Sequence, residues 1–264
     1  VNSFKILAFI PIWKRPEITR QCLEGIKALG LDMFCVVSED WAEDMAKEFG
    51  AEYVRTENKP VGRKFNKGLE GVLMLAKDYD YLMTFNSDTL INPKLLKVYD
   101  YYMNEGIDLI GVDKVYFIED KKAKFVDYKL QIIGAARLIS FKSLRKIAKR
   151  IKVKFLNSIA GSLNGNVGEE RFINKTQARM GAKSGFLEII GEERVMLWDD
   201  SLNSTLDNSS NRKLIYEGAS NKCIDVGKYP YVIDLKSDVN IWQFDSIEGE
   251  VANYNYVMSC LVED

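Results

Sequence analysis

The sequence predicts an α/β domain built on a mainly parallel sheet, and three observations carry that prediction. Short apolar runs alternate with amphipathic helical stretches over residues 5–112. The connections between them are short, as repeated strand–helix–strand units require. Two polar tripeptides, Ser38-Glu39-Asp40 and Asn86-Ser87-Asp88, follow directly on apolar strands, at the carboxyl ends where such sheets place their ligands.

The elements follow in order. Lys5–Ile12 is an apolar run stopped by Trp13-Lys14-Arg15-Pro16, which reads as a buried strand and a turn. Ile18, Cys22, Ile26 and Leu29 recur at helical spacing until Gly30 ends the helix. Met33–Val37 is a second strand, followed by a short helix over Ala42–Phe49, and Ala51–Arg55 is a third, weaker strand. Asn58–Gly62 is a loop, and Lys64–Lys77 is a helix with Leu69, Val72, Leu73 and Ala76 on one side. Tyr81–Phe85 is a fourth strand running into Asn86-Ser87-Asp88. Asn92-Pro93 opens a helix with Leu95, Leu96, Tyr99 and Tyr102 as apolar positions, and Leu109–Val112 is the next strand. The second half is less regular. Lys114–Phe125, Tyr128–Ile139 and Tyr229–Leu235 read as strands, Phe141–Ile151 as a helix, and Asn157–Gly168 as a loop or lid. Val195–Trp198 leads into Asp199-Asp200 and a polar helix, whereas Asn240–Asp264 has no placement. Without a repeat or a linker, residues 1–264 read as one domain.

Composition narrows the chemistry. Of 264 residues 47% are hydrophobic, enough for a sizeable core, and the formal net charge is −1, so any polyanion-binding surface must be local. Histidine is absent, which removes imidazole bases, shuttles and metal ligands at once. Bases and ligands must come from carboxylates, with Lys, Tyr and Cys as weaker options. Cys22, Cys35, Cys223 and Cys260 form no CxxC pair and read as free thiols, the pattern of a reducing cytoplasm. No apolar run approaches the ~18 residues that span a bilayer, and no signal peptide precedes the first strand.

Asn86-Ser87-Asp88 is the main chemical signal. A carboxylate on a tight turn at a strand end can hold Mg²⁺ or Mn²⁺, whose remaining ligands are phosphate and water. Taken alone, the tripeptide reads equally as a structural Asx turn. Asp199-Asp200 pairs two acids, one fit for a base and the other for orienting; helix N-terminal acids are the alternative. Asp234, inside the strand Tyr229–Leu235, and Lys236, just after it, read from the residues alone as solvated strand-end charges.

Ile10-Pro11-Ile12-Trp13-Lys14-Arg15-Pro16, Glu57–Gly68, Phe85–Thr89 and Trp198–Leu202 occur in the order of four elements of GT-A-fold glycosyltransferases of the family-two-like type, and the chain resembles that class. The resemblance covers residues 4–140 well and 190–240 loosely. It implies a GT-A (Rossmann-like) sheet flanked by helices, with a nucleotide-sugar-binding half at 1–113 and a less regular acceptor-binding half at 114–264. It implies transfer of a hexosyl or pentosyl group from a nucleotide sugar, UDP-linked, to a hydroxyl, assisted by Mn²⁺ or Mg²⁺. Pro11, Trp13 and Arg15 would line the nucleotide pocket, and Glu39 would contact the base. Arg63, Lys64 and Asn66 would approach the nucleotide and its phosphates. Asn86, Ser87 and Asp88 would meet the donor, with Asp88 and Asp234 on the metal and Asp200, beside Asp199, as the base. At Asn86 the chain departs from the class, where an acid is usual, and Asn suits a hydroxyl contact instead.

From Tyr128 to Gly168 there is no acid, while Lys129, Arg137, Lys142, Arg145, Lys146, Lys149, Arg150, Lys152 and Lys154 are cationic. Such a run is commonly a solvated face, and it also fits a polyanionic partner, with Lys142, Lys146, Lys149 and Arg150 as contacts. Acceptors therefore remain open among a glycan, a lipid-linked sugar and a hydroxylated base in DNA, the last being modified by enzymes of some bacterial viruses in the host cytoplasm. A non-enzymatic nucleic-acid-binding protein using the 129–154 face is a separate reading. A nucleotidyltransferase is another, but the chain lacks a glycine-rich phosphate loop.

Overall fold

A computed structural model describes residues 4–75, 78–146, 211, 214–215, 218–237 and 244–261. Its first half alternates strand and helix: β1 (Ile6–Pro11), α1 (Pro16–Ala28), β2 (Asp32–Val37), α2 (Asp40–Glu48), β3 (Glu52–Arg55), α3 (Val61–Met74) and β4 (Tyr81–Thr84). There follow β5 (Thr89–Ile91), α4 (Lys94–Asn104), β6 (Leu109–Val112), β7 (Lys114–Glu119), β8 (Lys122–Asp127) and β9 (Arg137–Ser140). Later come β10 (Asn221–Ile224), β11 (Val232–Leu235), a 3-10 turn at Phe244–Ser246, β12 (Glu250–Ala252) and α5 (Tyr254–Ser259).

Two sheets result. The larger has the order β10-β6-β9-β4-β1-β2-β3; β1–β2, β2–β3, β1–β4 and β6–β10 pair parallel, and β9 runs antiparallel between β4 and β6. The smaller has the order β12-β8-β7-β11-β5. The mainly parallel, helix-flanked sheet expected from the alternating pattern is present. Its central strands are buried on both faces, which is why β1 and β2 read as unbroken apolar runs rather than alternating ones.

The helices pack as their spacing requires. On α1 the buried face is Thr19, Cys22, Leu23 and Ile26, with Ile18 and Leu29 at its margins. Pro16 starts this helix at the position where a missing N–H costs nothing. Helix α3 lies so close to β1 and β2 that a Cβ on Gly68 would stand 2.4 Å from Val36 and 2.6 Å from the Phe9 ring. Gly68→Val is therefore expected to destabilise the fold by about 1–3 kcal/mol through overpacking. Urea unfolding checks this; an unchanged midpoint would mean that α3 can be lifted off the sheet freely.

Three expectations are corrected. Lys114–Phe125 is not one strand: β7 and β8 form a hairpin, with Asp120 left-handed at φ 54 in its two-residue turn. Residues 128–136 are irregular, with Lys129, Leu130 and Ala136 left-handed, so only Arg137–Ser140 pairs as a strand. The unplaced tail supplies β12, which pairs antiparallel with β8, and α5 beside it. The lid at Asn157–Gly168, Val195–Trp198 and the Phe141–Ile151 helix beyond residue 146 lie outside the described residues.

Candidate functional site

The Asn86–Thr89 turn carries the chain from the large sheet to the small one, since β4 belongs to the first and β5 to the second. It is closed by Thr89 N–H donating to Asn86 O at 3.2 Å. Ser87 and Asp88 are buried, whereas Asn86 is exposed. β5 pairs antiparallel with β11, setting Asp234 opposite Thr89, and Leu235 N–H donates to Asp88 O at 2.7 Å. Two residues 146 positions apart in the chain thus become neighbours at the carboxyl end of β4.

Their carboxyl groups are close enough to share a hydrogen bond, and both residues are nearly inaccessible, Asp88 at 4% and Asp234 at 6% exposed. Burial first, and the Asp88 carboxylate second, push the Asp234 carboxyl well above the usual carboxylate range; Lys236 opposes them. Each acid has its own cation. Arg15 Nη1 meets Asp88 Oδ2 at 2.6 Å, and Lys236 Nζ lies 3.0 Å from Asp234 Oδ1 while sitting over the Phe117 ring.

Arg15 reaches Asp88 through unusual backbone. Lys14 and Arg15 are both left-handed, at φ 55 and 56, which costs bulky residues about 1–3 kcal/mol each where the surroundings enforce it. The enforcement is visible: Lys14 N–H donates to Glu39 Oε2 at 2.7 Å, and Arg15 O accepts from Thr19 N at 2.9 Å as α1 begins. Glu39, at the start of α2, thus holds the loop that aims Arg15. Pro11 and Trp13 flank this loop and are partly buried, and Lys14 Nζ stands 4.6 Å from the Trp13 ring centre.

On the other side of the β1 end, Lys64 is buried at 2% exposure. Its ammonium donates to Ile12 O at 2.5 Å, Ser38 Oγ at 3.0 Å and Asn58 Oδ1 at 3.0 Å. It ties together the ends of β1 and β2 and the loop before α3, and burial pulls its pKa down to about 8. Asn66 is also buried in α3, whereas Arg63 is exposed on it. Lys64 and Glu39, both expected at the nucleotide, are therefore engaged with the loops that frame the site. The bonding partners of Lys64 come from three separate segments, which no local motif announces.

Among the described residues no three His, Cys, Asp or Glu side chains converge on one point. Two carboxylates are nevertheless an adequate protein share for Mg²⁺ or Mn²⁺, which take oxygen ligands and leave the rest to phosphate and water. The Asp88–Asp234 pair fits that demand. Asp199, Asp200, Lys149 and Arg150 lie outside the described residues. Lys142 and Lys146 are exposed at 141–146, but the cationic run is not one continuous face: Arg137 is buried and donates to Asn211 Oδ1 at 2.6 Å, and Arg145 pairs with Asp78 at 3.0 Å. The four cysteines are free thiols, and no described helix is long and apolar enough to cross a membrane.

No family model matches the sequence, and no curated protein matches it. Among solved structures the chain is similar to S. aureus TarS 1–349, at 12% identity and TM-score 0.41, over 53% of this chain and 48% of that one. It is also similar to glucosyl-3-phosphoglycerate synthase from Mycobacterium tuberculosis in complex with Mn²⁺ and UDP-glucose, at 18% identity and TM-score 0.33, over 44% of each chain. A third is 4-diphosphocytidyl-2C-methyl-D-erythritol synthase from Anaerococcus prevotii, at 10% identity and TM-score 0.35, over 58% and 76%. The chain spans about half the length of the first two. At such scores the likeness is partial, and by itself it assigns this chain neither an activity nor a ligand.

Proposed function

We propose that this chain is a metal-assisted glycosyltransferase that moves a sugar from a nucleotide-sugar donor, UDP-linked, to a hydroxyl acceptor. The observation that carries the reading is the buried Asp88–Asp234 pair at the carboxyl end of β4, flanked by Arg15 and Lys236. A nucleoside diphosphate with a divalent cation matches this mixture of charges: carboxylates for the metal, a guanidinium and an ammonium for phosphate oxygens. The motif order of the sequence supports the same reading.

Asp88 and Asp234 would hold Mn²⁺ or Mg²⁺, which when bound neutralises the diphosphate leaving group. Arg15 and Lys236 lie beside these acids and would add positive charge where the leaving group becomes more negative. Lys64 and Glu39 keep the nucleotide-side loops in place. Exposed Asn86 offers an amide to a sugar or ribose hydroxyl. Asp200, with Asp199 beside it, would take the proton of the acceptor hydroxyl.

Thermal unfolding with a panel of nucleoside diphosphates, with and without Mn²⁺, tests the reading. A rise in Tm is expected for UDP with Mn²⁺; no stabilisation by any nucleotide would remove it. Asp200→Asn is expected to keep UDP binding and to lower transfer by about 10²–10⁴-fold. Activity preserved in that variant would move the base elsewhere.

The acceptor is proposed to be anionic or carried on an anionic molecule, because Lys142 and Lys146 stand exposed on the acceptor half. DNA binding that weakens with salt and is lost when Lys142 and Lys146 are neutralised would favour a base in DNA. Absence of binding at low salt would leave a glycan or lipid-linked sugar.

A further inference from the structure

We propose that Arg15 is a charge gate on the candidate metal site, making metal and nucleotide diphosphate bind as a pair rather than one after the other. The inference rests on the donor-site reading above and adds a rule of occupancy to it. Arg15 is placed for this by three features. Its guanidinium contacts Asp88 Oδ2 at 2.6 Å, in a pair whose side chains are only 11% and 6% exposed. Its second nitrogen reaches toward Ser87 Oγ at 3.5 Å, so the fork lies along the turn. Its left-handed backbone is enforced by the Lys14–Glu39 bond and the start of α1, so the side chain is delivered to the acid rather than draped there.

Opposite it, Lys236 holds Asp234 in the same way, with both side chains under 10% exposed. The protein thus supplies its own counter-charges to the two carboxylates. A divalent cation entering alone would add two positive charges to a space already holding a guanidinium and an ammonium, with little water to screen them. A nucleoside diphosphate brings the missing negative charge. Arg15 would then pass from Asp88 to the diphosphate, whose oxygens offer a charge-assisted acceptor in place of the one it leaves, and Asp88 would hold the metal. Each ligand therefore prepares the place of the other, and by linkage the gain is reciprocal.

The test measures Mn²⁺ and UDP affinities by titration calorimetry, each alone and each in the presence of the other, in wild type, Arg15→Met and Arg15→Lys. In wild type, UDP is expected to tighten Mn²⁺ at least tenfold. Arg15→Met is expected to bind Mn²⁺ alone about tenfold tighter than wild type and to lose most of the tightening by UDP. Arg15→Lys keeps the charge but loses the fork, and is expected to bind Mn²⁺ alone as weakly as wild type while retaining only part of the tightening by UDP. Thermal unfolding of all three identifies any variant that fails to fold, and Arg15→Gln then replaces Arg15→Met. Unchanged or weaker Mn²⁺ binding in the folded uncharged variant overturns the gate while leaving the donor site standing. A wild type that binds no UDP under any metal condition removes the donor-site reading and the gate with it.

Discussion

Asp88→Asn is expected to weaken UDP binding in the presence of Mn²⁺ by more than the ~10–100-fold that changes beyond the ligand shell of a metal produce. The substitution keeps the shape of the turn and removes one negative charge from a pair of adjacent acids. Its effect on the fold is expected to be smaller. Orphaning a buried charge costs about 3–5 kcal/mol, but here the amide oxygen still accepts from Arg15, and Asp234 loses a repelling neighbour. A large loss of binding with a modest loss of stability is thus the signature of a site. The reverse would mark Asp88 as a structural partner of Arg15. Asp234→Asn provides the control, because it leaves the Arg15–Asp88 pair intact and should also weaken metal-dependent binding.

Lys64→Met is expected to change how stability depends on pH. In the folded protein burial lowers the Lys64 pKa to about 8 from an ordinary 10.5, with Glu39 partly opposing the shift. Below pH 8 both folded and unfolded chains carry the proton, and the cost of burying the ammonium is fully present. As pH rises toward 10.5 the folded protein releases its proton first, so the unfolded chain binds more protons and stability increases. The gain is complete above 10.5 and absent below 8, and by linkage it amounts to about 3 kcal/mol. Other groups titrate in the same range: Cys35 is pushed up to about 12 by burial, which lowers stability as pH rises. The difference between wild type and Lys64→Met isolates the lysine. Urea unfolding at pH 7.5 and 9.5 checks it, and a constant difference would mean that Lys64 titrates normally. The variant also removes the donor shared by Ile12, Ser38 and Asn58, so UDP affinity should fall with it.

The two halves of the chain were unequally readable from sequence, for a physical reason. Strands β1, β2 and β4 are short apolar runs between helices whose buried faces repeat at helical spacing, so local pattern and tertiary environment agree. β5 and β10 escaped notice because they are short, and Thr89–Ile91 and Asn221–Ile224 become strands only through partners far along the chain. The β7–β8 hairpin was hidden because its turn is Asp120-Lys121, without the Asn-Gly or Asp-Gly signal of tight hairpins.

The candidate site divides in the same way. Asp88 was visible because it ends an apolar strand, and Asp234 because it lies in another. Their adjacency was not visible, since it depends on the β5–β11 pairing across 146 residues. Arg15 was expected to face the nucleotide, but nothing in Lys14-Arg15-Pro16 announces two left-handed residues or a guanidinium on Asp88. Lys64 was expected at the phosphates, and its burial follows from where α3 docks on β1 and β2.

The most direct test of the central claim is anomalous diffraction from crystals grown with Mn²⁺ and UDP. A manganese peak is expected beside the Asp88 and Asp234 carboxylates, with the diphosphate of UDP next to it. UDP bound with its diphosphate away from Asp88, or manganese bound at any other acids, would contradict the account.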